Sequence, residues 1–102
     1  MALVIPLENI EELRREQGID DIDLRMEIRS LKVGDFVKLT FLLSAATFET
    51  LSVRITSIRG SAFRGKLAKR PSSSKLSQLD GVSIVFNTAH IHSLFRRHEV
   101  SA

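Results

Sequence analysis

A chain of 102 residues with 43% apolar and 26% charged side chains has the size and composition of one globular domain around one hydrophobic core. It has no cysteine, which excludes disulfides, thiolate catalysis and cysteine-based zinc sites. No apolar run approaches the roughly 18 residues needed to span a bilayer. The apolar opening Met1 to Ile5 stops at Pro6 without a basic lead and is too short for a signal peptide. A cytoplasmic protein with no membrane attachment is therefore expected.

The net charge of +3 hides a division. Residues 1–50 carry ten acidic and six basic side chains, a net of −4; residues 51–102 carry nine basic and two acidic, a net of +7. Such a split serves either a basic surface for a polyanion or an acidic helix that partly neutralises the strands beside it. The second reading asks less of the sequence.

In chain order, Leu3 to Ile5 read as a short extended segment packed on the domain. Pro6 is suited to a first helical turn, and Leu7, Ile10 and Leu13 recur at three- and four-residue steps. Glu8, Glu11 and Glu12 precede Arg14 and Arg15, matching a helix dipole, and Gly18 supplies a stop. A helix over about 7–17 is predicted, with Leu7, Ile10 and Leu13 buried as it covers one end of the domain. The segment from Asp20 to Arg29 fits either period; its early aspartates and late arginines favour a short helix.

From residue 31 the pattern turns to β. Phe36 to Leu43 is almost continuously apolar, as a strand covered on much of both faces is. Ser44 to Thr47 make a turn, and Leu51, Val53 and Ile55 then alternate with Ser52, Arg54 and Thr56. A turn at Arg59-Gly60-Ser61 leads into the alternating Phe63 to Leu67. Residues 69–75 read as an exposed loop. A last strand over Val82 to Phe86 is followed by Asn87 as the cap of a helical turn reaching about Phe95.

Residues 31–41 and 76–86 share leucine, aspartate, valine and phenylalanine at matching offsets. Each reads as a tight turn feeding a strand of fixed facing, which is common turn chemistry and no sign of duplication. Short strands, tight turns and one long loop predict a meander that curls into a small barrel, which also protects sheet edges.

Leu31, Gly34, Asp35, Val37, Leu39 and Phe41 form a Leu-x-x-Gly-Asp-x-Val-x-Leu-x-Phe run. Glu49 and Val53 follow, then Gly65, Leu67 and Pro71, then Asp80, Val82, Phe86, His90 and Ile91. In this order they resemble a family of small bacterial proteins with an SH3-like barrel and no assigned chemistry. The chain departs from the family pattern at Ser52, Lys69 and Leu79, where tryptophan, asparagine and glycine are usual. The resemblance implies a mainly β (α+β) fold: a small SH3-like, partly closed antiparallel barrel of about five strands with one or two N-terminal helices. One domain covers 1–102, with a helical lead-in over 1–30, the barrel over 31–95 and a tail over 96–102.

His90 and His92, two apart, point about 200° apart on a helix and cannot share a metal there; on a strand they still need Asp80 or His98. A structural His90 and a solvent-facing His92 are expected, with no metal. Ser72 to Ser74 lack an activating base or a glycine elbow. The carboxylates concentrate on solvated helix faces, and no phosphate-cradling glycine loop is present. No enzyme activity and no cofactor are expected. Arg25 and Arg29 have the spacing of a cyclic-dinucleotide motif, but Ile55 stands where its companion strand motif needs an acid or amide.

Arg54, Arg59, Arg64, Lys66, Lys69, Arg70 and Lys75 form the candidate polyanion site, with Arg54, Arg64 and Lys66 opposite the apolar face of their strands. The sequence has no Tyr or Trp, and its six phenylalanines all fit core or near-core positions, leaving few platforms for bases. The leading expectation is a non-enzymatic binding module for a protein partner, as a monomer or weak homo-oligomer. The alternative is RNA or DNA bound through its backbone.

Overall fold

The computed structural model describes residues 5–19, 22–71 and 76–94. Two short helices precede five antiparallel strands: α1 (Ile10–Glu16), α2 (Ile22–Arg29), β1 (Phe36–Leu42), β2 (Phe48–Arg59), β3 (Ala62–Leu67), β4 (Ile84–Asn87) and β5 (Ile91–Leu94). The strands form one curled sheet in the order β4-β3-β2-β1-β5. It is a curled half-barrel, mainly β, with its two α-helices at the N-terminal end of the chain.

The first helix is shorter than predicted. Asn9 caps it, its Oδ1 accepting the Glu12 N–H at 2.9 Å. The residues before it are used otherwise: the Glu8 N–H donates to the Thr40 carbonyl and the Leu42 N–H to the Pro6 carbonyl. Leu7 thus bridges Phe41 and extends the pairing of β1 beyond the end of β5. Pro6 stands in this extended piece and not in a helical turn. Of the predicted opening segment only Ile5 lies within the described residues, partly buried against the core.

The helix ends as its glycine predicts. Gly18 adopts φ +73°, its N–H bonds the Arg15 carbonyl, and the Ile19 N–H bonds the Arg14 carbonyl. This is the paired arrangement that a left-handed residue makes cheap. Ile10 is buried and Leu13 half-buried. The second helix, over the segment that read ambiguously, buries Ile28 and leaves Ile22 and Met26 exposed.

The core comes from one face of the sheet. Val37, Leu39 and Phe41 of β1, Val53 and Ile55 of β2, Phe63 of β3, Phe86 of β4 and Ile91 of β5 join Ile28, Leu76 and Leu79 in one buried cluster. Alternation places these side chains inward and their neighbours outward. Phe63 and Phe86 stack at 5.3 Å between ring centroids, with planes 10° apart. The two similar segments do share turn chemistry: Asp35 N–H bonds the Lys32 carbonyl, and Asp80 N–H bonds the Ser77 carbonyl at the equivalent place.

The C-terminal expectation needs correction. The strand expected from Val82 begins at Ile84, and the helical turn expected through Phe95 is a three-residue 3₁₀ turn, Thr88–His90. Ile91–Leu94 is then a fifth strand that pairs with β1. Leu39 is fully buried and stands opposite Ile91; an uncovered β1 edge at that place would leave backbone groups unsatisfied.

Candidate polyanion-binding face

The outer face of the sheet is built from the positions that alternate with the core. Direct cross-strand partners lie on one face, with Cβ atoms about 4.5–5.5 Å apart, so the pairing register lays out the surface. Phe36, Arg54 and Lys66 form one row across β1, β2 and β3. Ser57, Arg64 and Val85 form a second across β2, β3 and β4, and Arg59, Ala62 and Asn87 a third. Four cations thus come from two neighbouring strands.

All four of these side chains are exposed and form no ion pair among the described residues. Glu49 is the sole acidic residue within the five strands. It stands opposite the buried Phe41, toward the other end of β2. The acidic residues of the N-terminal half lie mainly on α1, α2 and their flanks, so they do not neutralise these rows from within the sheet. Arg54 and Lys66 are direct partners of like charge, an arrangement that destabilises a sheet unless an anion sits over it.

The other predicted members are placed differently. Lys69 and Arg70 are exposed in the segment after β3. Arg70 Nε lies 3.6 Å from Asp80 Oδ2, a solvent-exposed ion pair between that segment and the turn before β4. Lys75, like Ser72 to Ser74, lies outside the described residues.

One expectation about aromatic groups is overturned. Phe36 and Phe48 are not core residues: they are 39% and 65% exposed. Phe36 stands beside Arg54 on the outer face, and Phe48 pairs with Leu42 at the far end of β2. Alternation had hidden this, because the nearly unbroken apolar run Phe36 to Leu43 gives no sign of which phenylalanine starts on the outside. The placement of Val37 at 0% exposure was the available clue only once the facing of β1 was known.

No family model matches the chain, and neither does any curated protein or solved structure. What the site can do must therefore be argued from its own geometry.

The histidines take up separate positions. His90 Nδ1 accepts the Asn87 N–H at 3.1 Å, while Asn87 Oδ1 accepts the Ala89 N–H at 2.9 Å, a reciprocal cap on the 3₁₀ turn. Burial holds the His90 pKa below its usual 6.5. His92 is exposed, its Nδ1 3.2 Å from the Ser93 hydroxyl. His98 lies outside the described residues, and among those described no three His, Asp or Glu side chains converge as metal ligands. No described helix is long and apolar enough to cross a membrane.

Proposed function

We propose that this domain is a non-enzymatic binding module whose outer β2–β3 face binds the phosphate backbone of nucleic acid. The observation that carries the reading is the outward grouping of Arg54, Arg59, Arg64 and Lys66 on two paired strands, without a carboxylate among their cross-strand partners. Arginine suits phosphate because its planar fork donates two parallel hydrogen bonds. Phe36 beside Arg54 adds an apolar platform against which an unstacked base can rest, and this favours single strands over duplex.

Binding to a labelled single-stranded oligonucleotide, followed by fluorescence anisotropy across a salt series, tests this. Four phosphate contacts predict a log–log salt slope of about −2.8, from roughly −0.7 per contact for single strands. The double substitution Arg64→Ala with Lys66→Ala should reduce that slope by about 1.4. Absence of binding at ~50 mM salt removes the reading, because the electrostatic contribution is largest at low salt.

A second reading, a protein partner, has an observation of its own. Ile19, Ile22 and Met26 are exposed to 51%, 56% and 64% around α2, and the last two are four residues apart on one helix face. Clustered apolar exposure of this kind marks contact surfaces. Substituting Ile22→Ser and Met26→Ser should abolish co-purification of such a partner and leave oligonucleotide binding intact. Retention of the partner by that variant removes the second reading.

A further inference from the structure

The pairing of β2 with β3 slips between Ile55 and Ser57. Ile55 stands opposite Gly65 and Ser57 opposite Arg64, so Thr56 is the extra residue of a β-bulge. A bulge bends its strand and re-aims the side chains around it. Here the Thr56 hydroxyl turns to the Arg64 carbonyl at 3.2 Å. Beside it the outer surface is hollowed into a pocket of about 450 Å³, lined chiefly by Thr56, Ser57, Arg59, Arg64, Ser83 and Val85.

The polar groups of the lining have one chemical sense. Two guanidinium groups and the Ser57 and Ser83 hydroxyls supply donors, the Thr56 hydroxyl being spent on the Arg64 carbonyl, and no carboxylate contributes. Arg59 and Arg64 form no ion pair among the described residues, so an incoming anion displaces no internal partner. Val85, 62% exposed, joins Ala62 and Phe63 as the apolar part of the lining. A phosphodiester carries a single charge, which one cation balances. Two arginines in one pocket match the higher charge of a phosphomonoester, about −1.5 to −2 at neutral pH.

We propose that the bulge pocket is a phosphomonoester site, which on a nucleic-acid strand takes the terminal phosphate. The assignment of the strand rests on the reading of the outer face given above; the pocket chemistry stands on its own lining. Arg59 and Arg64 clamp the phosphate oxygens. Ser57 and Ser83 donate to those that remain. The sugar and base that follow lie against Val85, and the succeeding phosphates run toward Arg54 and Lys66. End recognition then sets the register of a strand that the rest of the face holds without sequence preference.

The test compares a short oligothymidylate with its 5′-phosphorylated form by anisotropy, and maps inorganic phosphate by amide chemical-shift changes. The phosphorylated strand is expected to bind about tenfold more tightly. Ser57→Ala with Ser83→Ala should reduce that increment severalfold, and amide shifts unchanged away from the pocket report that the variant is folded. Inorganic phosphate should shift residues 57, 59, 64 and 83 and leave 54 and 66 unmoved. Equal affinity for the two strands, with phosphate shifts spread over all the cations, overturns the pocket and leaves the face reading intact. Localised phosphate shifts without binding of either strand uphold the phosphomonoester site and overturn the nucleic-acid reading. An absence of both signals overturns both.

Discussion

Gly65 of β3 faces Val53 of β2 so closely that a Cβ on Gly65 would stand 2.5 Å from Val53 Cγ1 and 2.6 Å from the Arg54 carbonyl oxygen. Gly65 is buried among the outward-pointing Arg64 and Lys66, and its missing side chain lets β3 lie tightly on β2 beside the bulge. The Arg54 contact is to backbone, so a methyl group cannot be accommodated by turning a side chain. Gly65→Ala is expected to cost about 1–3 kcal/mol, as overpacking does. Urea denaturation of wild type and variant measures it; an unchanged midpoint means β3 has room to move away.

The stacked pair Phe63 and Phe86 joins β3 to β4. Phe86 is 2% exposed, and its removal leaves a cavity beside a ring that has lost its partner. Phe86→Ala should destabilise the domain by about 3–5 kcal/mol, read as a lower denaturation midpoint. A loss below 1 kcal/mol contradicts the packing described.

Acidification should weaken the domain through His90. Its Nδ1 can accept the Asn87 N–H only while that nitrogen carries no proton, and burial places its folded-state pKa below 6.5. The unfolded chain therefore takes up a proton first as pH falls. The His90 contribution is complete above 6.5 and is lost as pH drops through the lower folded value. Thermal melts from pH 7.5 to 5 should show declining stability, with a shallower decline in His90→Gln. An equal slope in both proteins assigns the pH response to other groups.

The like-charged partners Arg54 and Lys66 give opposite effects on stability and binding. Lys66→Glu replaces repulsion with attraction across the pair and should stabilise the free domain by about 0.2–1 kcal/mol at low salt. The same change should weaken oligonucleotide binding at least tenfold. Denaturation and anisotropy on one variant check both; a variant that is more stable and still binds fully excludes the face as the binding surface.

The strand periods of β2 and β3 were legible because alternation is a local property: every second residue faces oil or water whatever the partner strand is. Hence Val53, Ile55 and Phe63 were recognisable as core and Arg54, Arg64 and Lys66 as outward. The dipole-matched charges and Gly18 likewise located the first helix. The end of the chain was less legible. Thr88 to Leu94 is too short for periodicity to separate a strand from a helical turn, and β5 owes its conformation to the open edge of β1.

From its own order of residues the chain determined a single cysteine-free core, the facing of β2 and β3, and the concentration of positive charge in its second half. These follow from side-chain chemistry and nearest neighbours alone. Tertiary pairing decided the rest: Leu7 drawn out of the helix to Phe41, Phe36 brought to the surface beside Arg54, and the slip at Thr56 that gathers two arginines around a hollow. Each depends on which strand lies opposite, and register between distant segments is set by global packing that no local pattern encodes.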